Sequence, residues 1–340
     1  MQNLYPYRPY RLVIFSIQGL AALLLIFLLA WPLHAQASTG DFNHCLAELR
    51  TTALEEGVSA DTFHRATADL APDQRTLELM DRQVELTLTV AQYLARQVTE
   101  DRIRTGRSKL AEYRELLADL EHRYGVDPAI IVAIWGMESS FGAAAGNFPV
   151  IRSLATLSCY GRRQSFFRNE LFSALKILER EEIAADEFLG SWAGAFGQTQ
   201  FIPTSFERLA VDHDNDGRRD IIGSVGDALA SAANYLKQAG WVAGQPWGFA
   251  VKVPREFTSP VSDWRERRPL IFWQEQGLTA TDGSPLITAN LPATTSAGLI
   301  AAGKNSDRYF LVLPNFDALH RYNPAVNYAL AIAHLADHIR

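Results

Sequence analysis

The stretch Trp135-Gly136-Met137-Glu138-Ser139-Ser140-Phe141-Gly142 closes an almost wholly apolar run that begins at Ile130. Because the run is apolar on every side at helical spacing, it predicts a helix in the centre of a core rather than one lying on a surface. Gly125-Val126-Asp127-Pro128 supplies the start, with Asp127 as N-cap and Pro128 in the first helical position, and Gly142 lies where the helix is expected to stop. Glu138 sits at the far end. Hydrophobic walls disfavour an ionised carboxyl, so the position predicts a raised pKa and a proton donor. The simpler alternative is an acid at a helix end that leans into solvent or pairs with an arginine.

Working outward, residues 41–124 show helical periodicity, clearest at Leu110, Leu116, Leu117 and Leu120 among charged residues. Helices are predicted over 165–182, 225–238 and 325–340, and residues 191–204 read as a glycine-bearing turn entering a helix near Pro203. Between Trp247 and Tyr309 the pattern changes to short runs bounded by Pro and Gly. Phe249–Val253 and Leu270–Trp273 suit short strands. The fold class is therefore mainly α (α+β).

The chain has 340 residues, 48% hydrophobic and 21% charged, with a net charge of −6. No dense basic stripe is available to replace phosphate counterions, which argues against a nucleic-acid partner. Arg8 and Arg11 precede twenty uncharged residues, Leu12 to Trp31, and then Ala35-Gln36-Ala37, a small-x-small cleavage pattern. This is an export signal, and the run is also long enough to remain as an anchor. Cys45 and Cys159 would then face an oxidising compartment, as a disulfide or as two buried thiols.

A second unusual segment is Gly190-Ser191-Trp192-Ala193-Gly194-Ala195-Phe196-Gly197-Gln198-Thr199-Gln200, running on to Pro203. Its glycines permit close approach, and Ser191, Gln198 and Gln200 offer neutral donors and acceptors suited to sugar hydroxyls and acetamido groups. A third is Asp212-His213-Asp214-Asn215-Asp216-Gly217-Arg218-Arg219-Asp220, with acids at positions 1, 3, 5 and 9 of a calcium loop and glycine at position 6. Position 12 is Gly223, so a standard loop lacks its closing carboxylate; Asp227, at the start of the next helix, could supply it through a longer loop. The expected ligands are Asp212, Asp214, Asp216, the Arg218 carbonyl and Asp227, with Asp220 direct or through water. A solvated acidic turn balanced by Arg218 and Arg219 is the alternative.

These segments, in this order, resemble the lytic murein transglycosylases of the membrane-bound B type, enzymes that cleave the glycan of bacterial peptidoglycan. The resemblance runs from about Phe42 to the C-terminus and is densest over 124–241. Tyr124-Gly-Val-x-Pro128, Ala155-Thr-Leu-Ser158, the Arg162-Arg163 pair, the Gly190 segment and the acidic loop carry it. It implies a lysozyme-like catalytic core, with Glu138 as the single acid and base. It also implies that Ser191 and Gln200 line the sugar site, that Arg162 and Arg163 lie close to the substrate groove, and that Tyr93, Tyr322 and Asn323 face the same cleft.

The implied reaction needs no cofactor. Protonated Glu138 donates to the oxygen between N-acetylmuramic acid and N-acetylglucosamine; once ionised, it takes the proton of the muramoyl C6 hydroxyl, which closes a 1,6-anhydro ring. Calcium at the extended loop would be structural. Peptidoglycan glycan strands are the implied partner, with a membrane tether through residues 12–31 and a wall-remodelling assembly left open. A muramidase-type hydrolase would use Glu170 or Asp186 as a second carboxylate, and a glycan-binding scaffold would turn nothing over. The chain divides on this reading into a signal or anchor (1–37), an N-terminal helical domain (38–115), the lysozyme-like core (116–248, with the loop at 212–227), a small strand-containing insertion (249–310) and a C-terminal strand and helix (311–340). No appended peptidoglycan-binding domain is expected, so affinity would come from the cleft.

Overall fold

A computed structural model describes residues 39–81, 88–303 and 308–340. The proposed signal or anchor, with its apolar span 12–31, lies outside them. Among the described residues no helix is long and apolar enough to cross a membrane.

The axis of the fold is α7 (Pro128–Ser139). Asp127 caps it by accepting from the Ala129 N–H at 2.8 Å, and residues 129–136 are buried without a break, as the all-round apolar sequence requires. Around it pack α4 (Val90–Gln97), α5 (Glu100–Glu112), α6 (Arg114–Tyr124), α11 (Val225–Gln238), α13 (Asn315–Tyr322) and α14 (Val326–Ile339), forming one hydrophobic core. Arg340 at the end of α14 grips Asp127 at 2.6 Å, tying the C-terminal helix to the cap of the central one.

A second core gathers α1 (Thr39–Glu55), α2 (Ala60–Thr67), α3 (Gln74–Asp81), α8 (Val150–Tyr160), α9 (Gln164–Glu179) and α10 (Pro203–Leu209). The helices that precede residue 125 thus divide between the two cores, α1–α3 on one and α4–α6 on the other. Cys45 on α1 and Cys159 on α8 form a disulfide with Cα atoms 6.0 Å apart, which selects the bridged alternative over two thiols. Strands β1 (Phe148–Pro149) and β2 (Leu189–Gly190) pair antiparallel and deliver the chain to the segment that follows Gly190.

The insertion is an antiparallel sheet in the order β4-β6-β7-β3-β5, from β3 (Gly248–Lys252), β4 (Arg268–Pro269), β5 (Thr279–Ala280), β6 (Ser296–Ala301) and β7 (Tyr309–Val312). Its central register pairs Leu299 with Leu311 and Phe249 with Leu311. The expected strand at Leu270–Trp273 is instead the short helix α12 (Leu270–Glu275). Its two fully buried residues, Leu270 and Trp273, stand three apart, on one face of a helix but on opposite faces of a strand. The indole of Trp273 donates to Ala297 O at 3.0 Å and fixes that choice.

Candidate active site

Helix α7 ends one residue after Glu138. The stop is made not at Gly142 but at Ser140, in the left-handed region at φ 51°, followed by Phe141 at φ 61°. Two non-glycine residues in this conformation are uncommon and need support from their surroundings. The Phe141 ring folds back over Gly136, where an added Cβ would come within 2.6 Å of it, and meets Trp135 edge-on at 5.8 Å. Gly142 N donates to Ser139 Oγ at 2.9 Å.

The Gly190 segment braces this helix end. Ser139 Oγ donates to Gln198 O at 2.6 Å, and the indole of Trp135 donates to Gln198 Oε1 at 3.0 Å. Gln198 Nε2 in turn donates to Ile222 O at 3.0 Å. Gln198 was expected to face sugar; it is 7% exposed with both ends of its amide engaged, so it positions the acid's helix instead. The reason is that Trp135 buries a donor that must be satisfied, and Gln198 is the residue brought beside it. Gly197 is left-handed at φ 74°, and a Cβ there would lie 2.7 Å from Ile221, so the close approach it permits is to the protein's own core.

Glu138 itself is half-buried. Tyr328 on α14 donates its phenol to Glu138 Oε1. Burial first, and then the charge of Glu138, push the Tyr328 phenol well above its ordinary value, so it remains a neutral donor throughout the physiological range. Tyr322, at the end of α13, is raised for the same two reasons and donates to Thr199 O at 2.7 Å. Its ring lies 4.6 Å from that of Tyr235 on α11, and both rings pack against the two cores at once. Tyr93 on α4 is 6% exposed and close enough to Tyr328 to influence its titration.

Tyr328 was not singled out from the sequence. The available signal was a hydroxyl-bearing ring at the head of Tyr328-Ala-Leu-Ala-Ile-Ala333, an otherwise apolar helical stretch, where a buried phenol needs an acceptor.

The other expected residues fall into two groups. Ser191 is half-buried; its Oγ accepts from Ala195 N at 3.1 Å and its N–H donates to Ala195 O at 2.7 Å, closing a tight loop. Gln200 donates to Ala145 O at 2.7 Å and Gly197 O at 2.9 Å, and Asn323 caps α13 in extended conformation. Gln200 and Ser191 thus lie against residues 145–146, just beyond the Glu138 segment. Arg162 and Arg163 lie exposed at the α8–α9 junction, Arg162 paired with Asp81 and Arg163 stacked 4.2 Å over Phe166, so their contacts belong to the rim of the second core.

In the acidic loop, carboxylate oxygens of Asp212, Asp214 and Asp227 lie within 4.8 Å of one another. That is the spacing of oxygens sharing a cation with ligand distances of about 2.3–2.6 Å. Asp227 is 1% exposed, and burial, with the neighbouring Asp214 and Asp212 charges, raises its carboxyl above the ordinary range. The loop's backbone turns inward on its own acids, as when Gly217 N donates to Asp212 Oδ2 at 2.9 Å. Asp216 accepts from Arg218 N at 2.8 Å. The two arginines that could balance the acids are committed elsewhere: Arg219 holds Glu182 through both oxygens at 2.7 and 2.8 Å, and Arg218 donates to Glu182 O at 3.2 Å. The residues therefore fit a divalent cation.

The description "Transglycosylase SLT domain" matches residues 41–337. The chain belongs to the SLT transglycosylase family. This transglycosylase is 31% identical over 268 residues to the membrane-bound lytic murein transglycosylase B of Escherichia coli K12, covering 75% of the chain and 71% of that relative. It is 46% identical to SltB3 of Pseudomonas aeruginosa, solved in complex with NAG-NAM-pentapeptide, with a TM-score of 0.83 over 87% of this chain and 79% of that one. The Escherichia coli lytic transglycosylase Slt35, solved in complex with calcium, is 27% identical with a TM-score of 0.75, covering 87% of this chain and 92% of the other. The transglycosylase thus has the mainly helical, lysozyme-like architecture expected of it.

Proposed function

We propose that Glu138 acts in turn as general acid and general base in the cleavage of peptidoglycan glycan strands. The chain is a lytic transglycosylase, and relatives bind NAG-NAM- and NAG-anhNAM-pentapeptides, the two sides of such a reaction. Protonated Glu138 donates to the glycosidic oxygen as the C1–O bond breaks and positive charge develops on the muramoyl ring. The substrate's acetamido group and the Ser191 hydroxyl are suited to stabilise that charge. The carboxylate then accepts the C6 hydroxyl proton as O6 bonds to C1. Glu138 is restored, and no water enters the product.

The single observation that carries this reading is the Tyr328 phenol donating to Glu138 at the end of a buried helix. A neutral donor steadies the carboxylate without supplying a counter-charge that would hold it ionised, so one carboxyl can cycle between its two states. A hydrolytic alternative needs a second carboxylate. Glu170 is 2% exposed and accepts from Thr204 N at 3.0 Å and Thr204 Oγ1 at 2.8 Å, capping α10, while Asp186 is exposed. Neither is presented as a nucleophile.

At 212–227, Asp212, Asp214, Asp216, the Arg218 carbonyl and Asp227 would hold a structural calcium ion, which takes no part in the chemistry. Export to the periplasm, with residues 12–31 as signal or anchor, is supported by the Cys45–Cys159 disulfide. The test is mass spectrometry of muropeptides released by the protein beside its Glu138→Gln variant. Anhydro ends, lost in the variant, are expected; hydrated reducing ends, or an unchanged rate in the variant, would overturn the mechanism.

A further inference from the structure

Away from Glu138, a cavity of about 430 Å³ opens between the loop leading to β4 and helix α13, lined by Trp264, Arg265, Arg267, Asp317, His320 and Arg321. Trp264, 8% exposed, forms its floor. The Arg265 guanidinium lies 4.7 Å from the indole centroid, that of Arg267 5.8 Å, and the His320 ring 5.4 Å. Three guanidiniums and an imidazole thus line one small space in a protein whose net charge is −6. The opposing acids are Asp317, 2.9 Å from Arg267, and Asp263, 3.2 Å from Arg265. They neutralise two of the three arginines, and among the described residues Arg321 donates to a neutral carbonyl, Ala239 O, at 2.6 Å. His320 is held below its ordinary value by burial first and then by Arg265, with Asp317 and Asp263 acting the other way.

We propose that this cavity is a carboxylate-binding site that takes the C-terminal end of a peptide stem on the glycan strand. Guanidinium forks match a carboxylate's two oxygens. The site is linked to Tyr322 through α13: Arg321 precedes Tyr322, and its carbonyl accepts from Tyr235 at 2.7 Å, the ring against which Tyr322 packs. The proposal rests on the peptidoglycan reading above and adds a second point of substrate recognition.

The experiment titrates the full chain with a murein-type pentapeptide bearing a free C-terminal carboxylate, with the same peptide amidated, and with inorganic phosphate, following the His320 ring by NMR. The free acid is expected to shift His320, and the amide to need at least about tenfold more, the loss of a charge-assisted bond. Arg265→Ala removes an exposed side chain and should weaken the acid by about tenfold with an unchanged melting temperature. Arg267→Lys, which keeps the charge facing Asp317, should weaken it less. On stem-bearing strands Arg265→Ala should raise KM several-fold at constant kcat, and on stem-free strands leave both unchanged.

Equal binding of acid and amide, binding of phosphate alone, or an unaltered Arg265→Ala variant would overturn the site. So would adsorption to anionic lipid vesicles through these arginines with the pentapeptide silent. Failure of the wild-type protein to cleave any strand would instead overturn the proposed function.

Discussion

Two regions of this molecule hold carboxyl groups in partly buried surroundings and give them different neighbours. At the end of α7 a single acid meets a neutral phenol. In the 212–227 loop at least three acids converge, and the nearest guanidiniums turn away to Glu182. A carboxyl steadied by a neutral phenol can gain and lose a proton within one cycle, because that donor supplies no charge to oppose either state. Crowded carboxylates cannot do so cheaply, and they call for a cation. The functional group is the same; its neighbours differ.

The contrast is tested most severely at Glu138. Glu138→Gln should lower the rate of glycan cleavage by about 100- to 10,000-fold, the range of general acid-base assistance, with little change in melting temperature. A comparable loss of stability would move Glu138 into the scaffold class. The Cys45–Cys159 bridge belongs to neither region and separates the two readouts. It closes a separation of 114 residues, so Cys45→Ser should lower stability by about 4–5 kcal/mol, read by denaturant unfolding, while the folded fraction keeps its activity per molecule.

Tyr328→Phe keeps the ring and removes the donor to Glu138. A hydrogen bond to a charged group contributes about 1.5–3 kcal/mol, so kcat should fall by roughly 10-fold or more, visible in turnover of purified glycan strands. An unchanged kcat would mean that the neutral donor is not what distinguishes this carboxyl from those in the loop.

The smallest effects belong to the loop itself. The folded state holds Asp227 more firmly protonated than the unfolded chain does. Without metal, its contribution to stability is therefore greatest on the acid side and is lost as pH rises from about 3.8, its ordinary value, through its raised folded value. Added calcium should remove that loss and raise the melting temperature at neutral pH. Asp227→Asn should flatten both responses and leave kcat untouched. Identical melting curves with calcium and with chelator at neutral pH would return the loop to a solvated acidic turn.

The Asp127 cap, the burial of the helix that ends beside Glu138 and the convergence of Asp212, Asp214 and Asp227 were legible because they are local patterns that depend on neighbours along the chain, and what was not legible shares a cause. Gln198 was misassigned because its partner, Trp135, lies 63 positions away, so nothing nearby in the chain shows the amide to be engaged. Tyr328 was missed for the same reason, standing 190 positions from the acid it serves. Leu270–Trp273 looked like a strand because a four-residue apolar run carries no periodicity long enough to distinguish the two structures.

By itself, then, the chain's order of residues established a mainly helical protein, a buried helix ending in an acid, and a loop dense in acids. Those follow from periodicity, capping and short-range charge, which act over a few residues. Which hydroxyl reaches the acid, which amide braces its helix and whether the two cysteines meet depended on how α7, α8, α13 and α14 pack. Hydrogen bonds and disulfides require ångström-scale approach, and only the folded core brings residues more than a hundred positions apart to that distance.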